Sequence, residues 1–215
     1  MRRRKNIITV AIDSPAAAGA GTQAKYIAQN YNLSYLDTGK IYRYLGNLAI
    51  KRKSLDYHFF KKKINQLKMN KLKGKKLLSD EVAKSASIIA KNKKIRNLIK
   101  NFQLKCAYNP PKKFAGSVLD GRDITSVIMK DAMFKFYITA NINVRAKRRF
   151  IEYKKMKKKV KFIDVLKSLK NRDYLDKNRK HSPLKKTKDS ILINTSKLSK
   201  KACFYKIKAI MDKKL

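Results

Sequence analysis

Acidic residues are scarce: Asp and Glu number 14 against 56 Lys and Arg, a formal net charge of +42 over 215 residues. Cysteine is scarcer still. Cys106 and Cys203 are too few for a disulfide framework, and with only two histidines and no close spacing they exclude a Cys/His metal cluster. This usage fits a reducing compartment, and the chain is expected to be cytoplasmic. Glycine, 7 residues in 215, falls well below the roughly 7% of ordinary proteins, so each one retained is informative. Long apolar runs are missing too. The hydrophobic 43% lies in short separate blocks, enough for a core but not for a membrane span, and too much for a disordered chain. The start MRRRK is followed by the apolar run Ile7–Ile12, but Asp13 ends that run before it reaches the length of a signal segment.

The surplus charge is mostly lysine spread along the chain, with runs at 61–63, 73–76 and 154–159. Such runs read as solvated surface. They imply at most weak, salt-sensitive, non-specific RNA binding, and no aromatic-plus-glycine RNA motif accompanies them.

Strand-like and helix-like segments alternate with no internal repeat or long polar linker. Strands are expected at 7–12, 34–36, 117–119, 134–139 and 191–194, and a helix at about 21–31. This alternation predicts an α/β fold, a doubly wound parallel five-stranded sheet. Two lysine-rich stretches, about 51–80 and 149–183, break the rhythm and read as insertions over the carboxyl edge of the sheet, where ligands of open α/β sheets bind.

The first strand runs into a small-residue loop, Ser14-Pro15-Ala16-Ala17-Ala18-Gly19-Ala20-Gly21-Thr22. A strand, such a loop and a helix form a phosphate cradle of backbone N–H groups. Against the pattern G-x-x-x-x-G-K-[ST], however, Ser14 stands for the first Gly and Ala20 for the Lys. Alone, this loop reads equally well as a structural turn. Three further segments shift the balance: Asp37-Thr-Gly-Lys-Ile-Tyr-Arg43, Leu119-Asp-Gly-Arg-Asp123 and Arg172-Asp-Tyr-Leu-Asp-Lys-Asn-Arg179. Four of the seven glycines and five of the fourteen acids sit in these segments and the loop.

Together with Glu81–Ser87, Ile95-Arg96, Arg145–Arg149, Ser182-Pro-Leu184 and Asn194-Thr-Ser196, these segments resemble the bacterial cytidylate kinase family in its order, from Ile8 to about Leu198. The resemblance implies a P-loop kinase fold divided into core (1–50, 86–148, 184–215), a small NMP-binding insertion (51–85) and a helical lid (149–183). It implies phosphoryl transfer from ATP to CMP or dCMP with Mg²⁺, by a monomer that takes small-molecule nucleotides as partners. Residues 14–22 with Arg148 and Arg149 would bind ATP. Ser87, Arg96 and Asp123 would read the cytosine, Ser87 and Arg96 as donors and Asp123 as acceptor, while Asp176 would hold the sugar. Thr38, Arg43, Arg122 and Arg179 would grip the CMP phosphate. Arg172, Arg122 and Asp120 are the implied catalytic set, with Asp120 and Thr22 reaching the metal through water.

The chain departs from the family at Ala20, Ser14 and Ala17, and at Leu77 and Leu78, where an Ile-Arg pair is expected. Lys40 stands where the family has a small residue, a candidate replacement for the missing lysine. The alternatives are a phosphate-binding pseudo-kinase on the same fold and a basic RNA-binding protein.

Overall fold

Ile8–Asp13 forms β1, a mostly apolar strand with its last five residues buried, as the central strand of a parallel sheet requires. The protein was analysed as a computed structural model that describes residues 6–72, 74, 77 and 79–215. The MRRRK start, Leu78 and all but Gly74 of the 73–76 run lie outside the described residues.

The remaining strands are β2 (Leu33–Asp37), β3 (Gly116–Gly121), β4 (Phe134–Thr139) and β5 (Ile191–Asn194). All pair in parallel, in the order β2-β3-β1-β4-β5. The five strands and the parallel sheet are those expected from sequence.

Side chains alternate across the strands and so feed two cores. On one face Ala11, Leu36 and Leu119 meet α2 (Gly39–Arg52), α3 (Tyr57–Asn65), α4 (Asp80–Ile89) and α5 (Lys93–Tyr108) through Ile41, Leu45, Phe60, Ile89 and Ile99. On the other, Val10, Ile12, Val118 and Phe136 meet α1 (Ala20–Asn30) and α8 (Lys200–Asp212) through Ala24, Ile27 and Ile207. A third cluster, built from Ala146 and Tyr153 of α6 (Ile142–Lys155) and Val165 and Leu169 of α7 (Phe162–Asn178), packs on Ala16.

One expectation needs correction. The lysine-rich stretch 51–80, expected only to break the rhythm, contains α3, whose N-terminus is capped by the Asp56 side chain accepting from Phe59 N at 3.1 Å. Two apolar anchors one turn apart, Phe60 and Ile64, suffice to seat it, and the lysines between them stay solvated. Positions 50/51, 85/86 and 148/149 each fall inside a helix, α2, α4 and α6 respectively. The close approach of α2 and α4 is eased by Gly46, where a Cβ would lie 3.0 Å from Ala86 N and 3.1 Å from Val82 O.

Asp13, at the carboxyl end of β1, has no exposed surface. Its Oδ1 accepts from Ile124 N at 2.7 Å, and its Oδ2 accepts from Thr125 N at 2.9 Å and Thr125 Oγ1 at 2.6 Å. Burial outweighs these bonds and pushes its pKa up to about 6. A carboxyl with a folded-state pKa above its unfolded one favours folding most when protonated, and that contribution is lost as pH rises through about 6. Asp13→Asn, which turns an N–H toward donors, should cost about 1–3 kcal/mol. Urea unfolding at pH 5 and pH 7.5 should show the wild-type advantage over Asp13→Asn shrinking at the higher pH; a pH-independent gap would disprove the raised pKa.

Candidate active site

The loop between β1 and α1 turns on Gly19, at φ 96°, a left-handed conformation that costs glycine nothing. As the N-cap of α1, Gly19 offers no side chain to the first turn, so the leading amides keep the open, anion-seeking character of a helix N-terminus. Ala17 also adopts the left-handed region, at φ 61°, a backbone that costs an L-residue roughly 1–2 kcal/mol.

The loop is held from outside. Arg145, buried on α6, donates Nη1 to Ala16 O at 3.0 Å and Nε to Ala140 O at 2.9 Å, and pairs with both carboxylate oxygens of Asp173 on α7. Thr195, after β5, donates Oγ1 to Ala18 O at 2.9 Å, and Arg148 donates to Thr195 O and Oγ1 in turn. Two arginines of one helix thus secure two loop carbonyls and tie the loop to the lid.

In front of the loop lies a cleft of about 510 Å³. All nine loop residues from Ser14 to Thr22 line it, as do Thr38, Arg43, Ser87, Arg96, Asp120, Arg122, Asp123, Arg149, Arg172, Asp176 and Arg179. The one candidate outside its walls is Arg148, whose guanidinium is committed to Thr195. Arg148 touches the cleft only through the loop it steadies.

At one end of the cleft, Arg96 Nη2 meets Asp123 Oδ2 at 2.5 Å, both buried, and Arg179 Nη2 stands 3.9 Å from Asp123 Oδ1. Ser87 Oγ donates to Ala83 O of its own helix at 3.0 Å. In this arrangement its proton lies on its own helix and its lone pairs are left toward the cleft. Arg43 donates Nη1 to Leu77 O at 2.8 Å. Thr38 donates Oγ1 to Asp120 O, which turns its hydroxyl into the β2–β3 edge.

In the middle, Arg122 Nε meets Asp176 Oδ2 at 2.8 Å, with Arg179 Nη1 3.7 Å from Asp176 Oδ1. Burial alone would raise the Asp176 carboxyl, but Arg122 and Arg172 outweigh it and hold the group below the usual carboxylate range. Arg172 is pushed the other way: burial, then the like charge of Arg122, lowers its pKa to about 10. Its Nε is buried with no hydrogen-bond partner, and so is Arg179 Nη2. Unpaired guanidinium nitrogens among crowded cations mark a cleft built for a polyanion.

Asp120 is the counterweight. Burial, followed by repulsion from Asp37, pushes its pKa up to about 8, and Tyr35 OH donates to its Oδ1 at 3.0 Å. A Cβ added at Gly21 would lie 3.6 Å from Asp120 Oδ2, so this carboxylate faces the first turn of α1 directly. Among the described residues no group of three or more His, Cys, Asp or Glu could hold a metal by itself. Two facing carboxylates beside an anion cradle fit Mg²⁺, which binds through one or two carboxylates and completes its shell with water and substrate phosphate.

Sequence reasoning did not single out Tyr35, Tyr42 or Glu152, which also line the cleft. Tyr35 and Tyr42 lie within segments that resemble the family, without a role of their own there. Glu152 lies three residues after Arg149 and pairs with it at 2.8 Å, a spacing that could have flagged it.

A five-stranded parallel sheet with an anion cradle after its central strand and a helical cover defines a kinase-type phosphate-binding fold. A solved structure of an uncharacterised protein from Eubacterium ventriosum shares that fold, with a TM-score of 0.55 at 16% identity over 95% of this chain and 98% of its own. The family model for cytidylate kinase matches residues 10–213. Relatives named cytidylate kinase are 39% identical in Clostridium botulinum, over 96% of this chain and 98% of the relative, and 41% identical in Bartonella tribocorum, over 91% and 90%. The chain belongs to the cytidylate kinase family.

The brace behind the loop makes a stability prediction. Arg145→Met strips Asp173 and the carbonyls of Ala16 and Ala140 of a buried partner and should cost about 3–5 kcal/mol, as breaking one side of a buried pair does. Glu152→Gln, which removes a pair whose carboxylate is 46% exposed, should cost under about 1 kcal/mol. Denaturant unfolding of the two variants measures both, and equal costs would show that Arg145 is not the brace.

Proposed function

We propose that this protein transfers the γ-phosphoryl group of ATP to the phosphate of CMP or dCMP, giving ADP and CDP or dCDP. The observation that carries this reading is the buried Arg96–Asp123 pair at one end of a cleft whose other end is an uncapped loop–helix cradle, with unpaired arginine nitrogens between them. Family membership supports the same assignment.

In this reading the base enters beside α4 and α5. Arg96 aims Asp123, so that its carboxylate accepts from the cytosine 4-amino group. Ser87, its own proton engaged, adds a second acceptor, and the remaining Arg96 nitrogens donate to the ring carbonyl and N3. Uracil presents an oxygen where cytosine presents the amino group and would leave two acceptors facing an acceptor. Asp176 takes the sugar hydroxyl, and Arg43, Arg122 and Arg179 hold the CMP phosphate, with Thr38 beside them.

ATP lies with its phosphates on the loop of residues 14–22, over the amides of residues 16–21, and Arg149 borders its outer end. An oxygen of the CMP phosphate bonds to the γ-phosphorus as the bond to the bridging β–γ oxygen breaks, and the electron pair leaves with ADP. The protein performs little covalent chemistry here; positioning and charge neutralisation lower the barrier. Arg172, crowded by cations in the free protein, gains most when negative charge spreads over the transferring group. Mg²⁺, when bound, would neutralise phosphate charge, and Asp120 with Thr22 would hold its waters.

Asp123→Asn keeps the shape but presents an N–H at the amino-reading position. It should raise the KM for CMP by roughly tenfold or more, corresponding to about 1–3 kcal/mol, while the ATP KM stays within about threefold and the UMP-to-CMP efficiency ratio rises. Equal changes in both KM values would remove Asp123 from base recognition.

Arg172→Ala should lower kcat by about a hundredfold or more with CMP affinity little changed. Calorimetry showing lost CMP affinity at unchanged kcat would assign Arg172 to ground-state binding. A protein that binds CMP without releasing ADP would be a pseudo-kinase, and one that binds RNA with a steep salt dependence but not CMP would refute the kinase reading outright.

A further inference from the structure

Position 20, which in G-x-x-x-x-G-K-[ST] carries a lysine reaching the β- and γ-phosphates, is Ala20, 5% exposed at the first residue of α1. A triphosphate on this loop would meet backbone amides but no cation from the loop itself. The cleft wall supplies lysines. Lys25 and Lys40 line the cleft, and neither makes a hydrogen bond or ion pair with a described residue.

Their positions differ in a way that decides between them. Lys25 is exposed and lies more than a turn along α1, away from the loop. Lys40 is half-buried in the first turn of α2, two residues after Thr38, which is bonded to the Asp120 carbonyl. The Asp120 carboxylate in turn faces Gly21, next to Ala20. Asp120 therefore stands between the first turn of α1 and the first turn of α2. Lys40 lies close enough for its charge to reach Asp120.

We propose that Lys40 supplies from α2 the phosphate-binding cation that position 20 lacks, contacting the ATP phosphates across the cleft; this rests on the kinase reading above. A lysine is a compact charge on a flexible four-carbon stem, so it can serve a phosphate from a neighbouring helix where a fixed guanidinium fork could not. The relocation has a consequence of its own. Lys40 and Arg43 lie three residues apart on one helix, a spacing that puts them on the same face. With Arg43 on the CMP phosphate and Lys40 on the ATP phosphates, α2 senses both substrates. Each should then tighten the other's binding by the same factor, as linkage requires.

The experiment uses the full chain. Calorimetry with a non-hydrolysable ATP analogue, with and without CMP, is combined with kinetics of the parent, Lys40→Met, Ala20→Lys and the double variant. Lys25→Met runs as a comparison. Lys40→Met should weaken the analogue at least tenfold, abolish its tightening by CMP and lower kcat about a hundred- to a thousandfold, while CMP affinity without analogue stays within twofold. Ala20→Lys should raise kcat in the Lys40→Met background by at least tenfold more than it does in the parent, since two groups filling one role are non-additive.

Additive effects, analogue affinity indifferent to Lys40→Met, or the same losses and rescue at Lys25 would overturn the proposal. If Lys40→Met fails to fold, Lys40→Gln, which keeps length and polarity without charge, is read against the same criteria. A parent without CMP-dependent ADP release would sink the kinase reading itself, whereas an active parent unaffected by losing Lys40 would sink only this assignment.

Discussion

The buried carboxylate of Asp13 sets the distance between the two loops that make the cleft. It closes the end of β1 and receives three hydrogen bonds from the turn after β3, so the loop of residues 14–22 and the segment carrying Arg122 and Asp123 leave the sheet from one locked point. A carboxylate does this better than an apolar contact because its bonds are directional, and it does so at the cost of desolvation. Everything downstream, from the Arg96–Asp123 pair to the Arg122–Asp176 pair, depends on that spacing.

Charge in the cleft is arranged in unequal portions. Asp123 and Asp176 each serve more than one arginine, and Arg172 is left with a lowered pKa and a buried nitrogen without a partner. A polyanionic substrate relieves that crowding, and a transition state in which charge spreads across the transferring group relieves it further. Fixed donors in a partly dry site need little reorganisation at the moment of reaction, which is the main lever a phosphoryl-transfer enzyme has. The surface lysines, by contrast, are mostly solvated and contribute little to this local field.

The nucleotide loop of this chain departs from its motif yet keeps the form of a cradle. Ala17 takes a left-handed backbone, and no side chain caps α1. The shape is enforced from behind, where Arg145 and the Arg148–Thr195 pair hold the carbonyls of Ala16 and Ala18. Arg145 also reaches Asp173, so the brace runs from the loop into α7.

By itself the sequence determined the strands, their parallel α/β arrangement, the cradle loop and 20 of the 31 residues on the cleft wall, because apolar runs and retained glycines and acids are local signals that survive a strong lysine bias. It could not show that α3 exists, since two buried anchors among lysines carry too little periodicity, nor that α2, α4 and α6 run through the expected domain divisions. Tertiary structure alone decided which face of each side chain is committed. Arg148 serves Thr195 and not the cleft, and Ser87 spends its proton on its own helix. Lys40 and the loop before α1 come to line one cleft only because β3 pairs with both β1 and β2, bringing together helices that begin nineteen residues apart in the chain. Hydrogen-bond partners and distances between loops are set by the packing of the whole sheet, and no local pattern of residues encodes them.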